Sequence, residues 1–426
     1  MEAMTMIIAE KIPVNTIFVV FLSIFIFSSF LHWIFFSGTY LSADVLLKTA
    51  VVLTLRYHAF TLIIRMRRCL VNRQNGHIPD IRAFSLSFSF THLIIVGTDG
   101  FKRSADTIFS LERSVCMPKE IPIYEIEHVK IGNAQNSEAK TGCTVILCPQ
   151  GAPAGIDVRG GGPASRESEL LNPVAACEAI HAVLLSGGSA FGLDAAGGVM
   201  EYLEERGIGF SVGDIRVPLV CQSCIFDLSY GQSKIRPDKA MAYQACLDAE
   251  INRPKGGNYG CGCGATVGKL RGMADAQKSG LGLYAVSLGD LKIGAVVCVN
   301  ALGDVYDHRT GKRIAGMAIH EQDPFCDSEE AMYHMYDQLA AHPLPAGNTT
   351  IGVILTNASF GKAQMNKIAA MAQDAYARCI RPIHTTADGD TVYALSVGNV
   401  RADINLVGTL SAHVMAEAIR RAVTPV

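Results

Sequence analysis

Apolar and polar positions change texture twice along this chain, and each change marks a boundary. Residues 17–36 (IFVVFLSIFIFSSFLHWIFF) form a nearly unbroken apolar block, inside a stretch from 12 to 43 that carries no Asp, Glu, Lys or Arg. Twenty residues rising about 1.5 Å each cover about 30 Å as a helix, the depth of a hydrocarbon core. The block is therefore a candidate transmembrane segment. Lys48, Arg56, Arg65, Arg67 and Arg68 follow it, against Lys11 alone before it, so a membrane anchor here would leave the remainder cytoplasmic. No caps or clear period run on to residue 118. A start codon assigned too far upstream would give the same texture, so residues 1–118 are read as an extension that need not belong to the functional protein.

From residue 119 the pattern becomes that of short strands and helices. Ile121–Ile131 and Gly142–Leu147 alternate as strands. Pro173–Leu185 has helical spacing, with Asn172 as N-cap and Pro173 in the first turn, and a second helix covers Val199–Arg206 up to Gly207. Val217–Leu228 and Ile293–Asn300 read as strands, the latter buried. Residues 308–346 are polar and punctuated by proline, a solvated connector with one short helix at Ser328–Ala340. Beyond it the order is simple: strand Thr349–Thr356, helix Lys362–Cys379, strand Thr391–Val397 and helix Leu406–Val423. Met365, Ile368, Ala369, Ala372 and Ala375 make the apolar stripe of the first of these helices, a core face.

Composition narrows the class. A chain of 426 residues with net charge −2 has no basic field for nucleic acid, so a small molecule or peptide is the expected partner. Thirteen scattered cysteines suit reduced thiols in a cytoplasm rather than a disulfide framework. Cys221-x-x-Cys224 and Cys261-x-Cys263 lack second half-sites at zinc-finger spacing, and no metal is expected. Two glycine-rich stretches remain. Ile156–Gly162 lacks the Gly-Lys-Ser/Thr ending of a phosphate loop and suits a tight corner or cleft wall. Gly256–Gly280 offers backbone N–H groups unshielded by side chains, so Gly260, Gly262 and Gly264 are candidates to line a substrate or oxyanion pocket. His181 reads as a packed residue of its helix.

One junction has chemistry that composition does not explain. A loop built from Pro343, Pro345 and Gly347 enters a β-prone run at Asn348-Thr349-Thr350. A hydroxyl pressed against the preceding carbonyl can break its own peptide bond through an ester. Cleavage after Asn348 would leave Thr349 as a chain end. An α-amine titrates at about 7.7 to 8.0, so near neutrality it can take the proton from its own hydroxyl, and Thr349 would be nucleophile and base together. Thr-Thr is also ordinary strand composition. Asp388-Gly389-Asp390 is either a plain turn or a pair of carboxylates brought near the nucleophile by the strand that follows them.

Taken in order, Ser186–Gly198 (SGGSAFGLDAAGG), Ile225–Leu228 with Arg236-Pro237-Asp238, Gly260–Lys269, Val299–Asp304, Asn348-Thr349-Thr350 and Asp388–Thr391 resemble the self-processing aminopeptidases typified by L-aminopeptidase/D-esterase and the β-aminopeptidases. The resemblance covers residue 119 to the end. It implies an α+β fold, a four-layer α-β-β-α sandwich similar to N-terminal nucleophile hydrolases and ornithine acetyltransferase. It further implies autocleavage into 119–348 and 349–426, pairs that assemble as a homo-oligomer, and no metal or organic cofactor. Thr349 matches the nucleophile, where other members carry serine. Asn300 matches the strand-end asparagine that helps bind the oxyanion. Asp388 and Asp390 match the hydroxyl or carboxylate and the carboxylate that position the amine, and Tyr230 is the nearest match to a family tyrosine. The implied activity is hydrolysis of N-terminal residues from small peptides, amino-acid amides or esters through an acyl-threonine. An acyltransferase of the ornithine acetyltransferase type and a non-catalytic, membrane-tethered binding protein are the alternatives.

Overall fold

The computed structural model describes residues 117–424 apart from 342–343 and 345–346. The candidate membrane segment, with all but the last two residues of the expected extension, lies outside the described residues. Among those described, no helix is long and apolar enough to cross a membrane.

Two sheets face each other. The larger has six strands in the order Lys119–Ile121, Leu281–Leu288, Leu291–Asn300, Thr349–Ala358, Thr391–Val400, Ala154–Val158. The smaller has five, in the order Lys130–Asn136, Thr141–Ala152, Ile180–Ser186, Val220–Cys224, Ser165–Arg166. Between them Ile131, Ile146, Val183 and Leu185 meet Val296, Ile351, Val353 and Leu395 in one apolar layer. Helices Lys362–Ala372 and Ile404–Val423 cover the outside of the larger sheet through Met365, Val414 and Ile419. Helices Ala196–Glu204 and Lys239–Ile251 cover the smaller through Val199, Leu203 and Ala245. Four layers, α-β-β-α, follow from strands apolar on both faces. Helix and sheet approach closely where a side chain is missing: a Cβ on Gly282 would lie 1.8 Å from the Ala418 carbonyl oxygen.

Three readings of the sequence are corrected. Pro173–Leu185 is not a helix; its end is strand Ile180–Ser186. The run Ile180–Leu185 is buried on both faces, which removes the alternation that would have marked a strand. Ile121–Ile131 is not one strand either. Pro122 ends pairing, a 3-10 turn covers Ile123–Glu125, and the next strand begins at Lys130. The expected helix Lys362–Cys379 divides at Gln373 into Lys362–Ala372 and Asp374–Cys379, and the Gln373 amide donates to the Asp157 carbonyl at 2.9 Å.

Register carries the motifs to one place. Leu291–Asn300 and Thr349–Ala358 run antiparallel with Asn300 opposite Thr349. Thr349–Ala358 and Thr391–Val400 run parallel with Ile351 opposite Thr391, so the loop before Thr391 arrives beside residue 348.

Candidate active site

The chain enters its strand under constraint. Gly347 has φ +103°, a backbone that favours glycine, and a Cβ there would stand 2.6 Å from Cδ1 of the Phe226 ring. Asn348 forms a parallel bridge with Asp388, donating its N–H to the Ala387 carbonyl at 3.3 Å and accepting the Gly389 N–H at 3.0 Å. The Thr349 hydroxyl, itself buried, donates to the same Asn348 carbonyl oxygen. One peptide carbonyl is thus polarised by a backbone amide while the neighbouring hydroxyl lies against it.

Asn300 is fully buried. Its carboxamide oxygen accepts the Thr266 N–H at 3.0 Å, which fixes its amide orientation. The Nδ2 then donates to the Phe226 carbonyl at 3.1 Å and the Gly347 carbonyl at 3.4 Å. Asn300 therefore holds the carbonyl one residue before that of Asn348, and the backbone donor on the Asn348 oxygen is the Gly389 N–H. A backbone amide inside Asp388-Gly389-Asp390 as partner of this carbonyl was not expected from sequence.

Lys269 was expected only as the end of a glycine-rich motif. Its ammonium is buried under the site and donates to the Asn300 carbonyl at 2.8 Å and the Gly347 carbonyl at 3.1 Å. Burial pulls its pKa down to about 7, against the opposing charges of Asp388, Asp227 and Asp390. A cation so placed compensates several buried carboxylates.

Asp390 is the strand-side carboxylate. Its Oδ1 accepts the Thr350 N–H at 2.7 Å, and its Oδ2 accepts the His384 N–H at 3.1 Å and pairs with His384 Nδ1 at 3.0 Å. The His384 ring stacks on Tyr376. Asp388 accepts from Leu302 N–H at 3.4 Å and Thr385 N–H at 3.1 Å, and from the Thr385 hydroxyl. Burial, with the Asp390 charge beside it, pushes the Asp388 carboxyl up to about 6 despite those donors. Every partner of Asp388 donates, so its neutral form would set proton against proton and disturb the turn that holds the Gly389 amide. Because the raised value leaves the carboxylate dominant only above about pH 6, cleavage at Asn348 should slow as pH falls through that value. A pH–rate profile of maturation checks this. Asp388→Asn should be slow throughout and lack the acid limb, and a wild-type rate flat between about pH 5 and about pH 8 would contradict the role.

The glycine run at 160–162 serves this turn. Gly161 and Gly162 donate to the Thr385 and Asp388 carbonyls at 3.2 and 2.8 Å, and a Cβ on Gly160 would lie 2.3 Å from the Asp390 nitrogen. Backbone packs on backbone there, as a corner rather than a phosphate cradle.

Gly260 and Gly262 donate to the Gln135 side chain at 2.8 Å and the Tyr259 carbonyl at 3.0 Å. A Cβ on Gly264 would meet the Lys140 carbonyl oxygen at 2.2 Å. These glycines pack a 3-10 turn that leads, two residues on, to Thr266, whose N–H orients the Asn300 carboxamide. Tyr230 is exposed at the turn after Asp227, its ring 5.9 Å from Lys278 Nζ. His181, expected on a helix, lies on a strand and accepts the Leu219 N–H at 3.1 Å. Cys221 and Cys224 are buried on one strand, and Cys261 and Cys263 are buried in the glycine turn.

The profile of peptidase family S58 matches residues 122–425. The chain belongs to peptidase family S58. Among its relatives, an uncharacterized aminopeptidase of Mycobacterium leprae is 42% identical over 269 residues, 61% of this chain and 72% of the relative. A 6-aminohexanoate-oligomer endohydrolase of a Kocuria species is 29% identical over 345 residues, 77% and 93% of the two chains. The L-aminopeptidase D-Ala-esterase/amidase of Ochrobactrum anthropi, described as a variant of the Ntn hydrolase fold, superposes with TM-score 0.51 at 15% identity over 71% of this chain and 85% of its own. A Burkholderia β-aminopeptidase gives 0.50 at 18% identity, over 72% and 87%. The S58 chain thus has the fold of the N-terminal nucleophile hydrolases and belongs to a family of peptidases.

Proposed function

We propose that this S58 member cleaves itself between Asn348 and Thr349 and then hydrolyses amides that present a free amine, releasing N-terminal residues from small peptides or amino-acid amides. The observation that carries the reading is the single carbonyl of Asn348, approached by the Thr349 hydroxyl and polarised by the Gly389 amide. In maturation the Thr349 oxygen bonds to the Asn348 carbonyl carbon, its proton passes to the Thr349 nitrogen, and the C–N bond breaks. Water then cleaves the ester, leaving an Asn348 carboxylate and a free Thr349 amine.

In turnover that amine accepts the hydroxyl proton as the oxygen attacks a substrate carbonyl. The proton goes on to the departing amine, and water releases the acyl group. Gly389 N–H is the donor already aimed at the oxyanion position. Asn300 Nδ2 and Lys269 Nζ lose one shared acceptor once Gly347 withdraws, and they stabilise negative charge on that side of the site.

Intact mass and N-terminal sequencing of the purified protein test this together. Two chains are expected, one ending at Asn348 and one beginning Thr-Thr-Ile-Gly, with release of product from amino-acid amides. An active protein that stays one chain would refute it.

A further inference from the structure

The ester formed in maturation and the acyl-enzyme of turnover are the same chemical bond: a carbonyl carbon on Thr349 oxygen. Resting on the proposed function, the segment ahead of Thr349 is then a template for the acyl group. Asn348 stands where the released residue will sit, and Gly347 stands where anything preceding that residue would have to pass.

The template shows two things. The Asn348 N–H donates to the Ala387 carbonyl at 3.3 Å, and its side-chain amide reaches the same oxygen at 3.4 Å. A free amine on the released residue would occupy the N–H position and donate there. One residue back, the half-buried Phe226 ring closes the path. A Cβ at position 347 would lie 2.6 Å from Cδ1, 2.9 Å from Cγ and 3.1 Å from Cε1 of that ring. The backbone that carries the ring is fixed, because the Phe226 carbonyl is held by Asn300 Nδ2 at 3.1 Å.

We propose that Phe226 is the specificity-determining residue that limits the released acyl group to one residue, or to one residue preceded by an unsubstituted carbon. It rejects an acyl group extended by a residue with a side chain, and it lets past only an unsubstituted carbon, a glycine or a methylene, as the chain's own Gly347 does.

The test uses the mature wild-type enzyme and three p-nitroanilides, those of alanine, glycyl-alanine and alanyl-alanine, with intact dipeptide release followed by mass spectrometry. Wild type should release glycyl-alanine with kcat/KM higher than alanyl-alanine by at least about 50-fold, the scale on which a tight pocket rejects an extra carbon. Phe226→Ala should reduce that ratio to below about 5-fold. Phe226→Val serves if the alanine variant does not mature, and should give an intermediate ratio. Equal release of both dipeptides by wild type, or a ratio unchanged in a matured variant, overturns the inference while leaving the hydrolase intact. A protein that cleaves no anilide overturns the proposed function, and this inference with it.

Discussion

Thr349→Ala is expected to give a single uncleaved chain with no measurable amide hydrolysis. The substitution removes the hydroxyl that lies against the Asn348 carbonyl, while the Gly389 amide, the Asn300 carboxamide and the buried lysine all stay. Knocking out a nucleophile that works as one unit with its base costs on the order of a million-fold in turnover. Here the loss is compounded, because without cleavage the α-amine never appears. Thr349→Ser retains a hydroxyl and should still mature. Electrophoresis of both variants after prolonged incubation, followed by an anilide assay, separates these outcomes. Maturation or turnover by the alanine variant would remove the mechanism.

Lys269→Met carries the second large effect. Methionine fills the volume of the lysine stem but removes the ammonium from the Asn300 and Gly347 carbonyls, the latter keeping only its longer bond from Asn300 Nδ2. It also strips the cation from a pocket that holds Asp227, Asp388 and Asp390. Maturation should slow by about ten- to a hundred-fold, because the Gly347 carbonyl that leads into the Asn348–Thr349 junction loses a charged, buried donor worth on the order of 1.5 to 3 kcal/mol. The charge change adds a signature that lost packing would not give. Without the lysine, the Asp388 carboxyl, already held up at about 6, should ionise at still higher pH, and the acid limb of maturation should move up with it. A time course of cleavage across pH measures both. An unaltered rate with an unaltered limb would show Lys269 to be structural only.

Much of this site could be read from the chain, for local reasons. Asn348-Thr349 stands at a change from proline-rich connector to β-prone run, and Asn300 ends a strand apolar enough to be recognised anywhere. Neither needed a partner to be seen. Lys269 and Gly389 were missed as working groups for the opposite reason. The lysine meets its acceptors 31 and 78 positions away. The Gly389 amide matters only because a parallel register lays it against residue 348.

The same division runs through the fold. Strand Thr349–Ala358 announces itself by a β-branched run set off from the proline-rich connector, and helix Ile404–Val423 by its period, because each signal is complete within itself. Strand Ile180–Ser186 does not, since its residues are apolar toward the opposite sheet on one face and toward helices on the other. Helix Lys239–Ile251 was passed over as well, its alanines giving little contrast between faces until the smaller sheet is there to receive them. By itself, then, the sequence determined the elements around residue 349, the junction and the two aspartates. Tertiary structure alone decided which amide polarises the Asn348 carbonyl, which cation lies beneath it and which ring stands behind it. Those choices depend on strand register and close backbone approach, quantities that exist only between segments far apart in the chain.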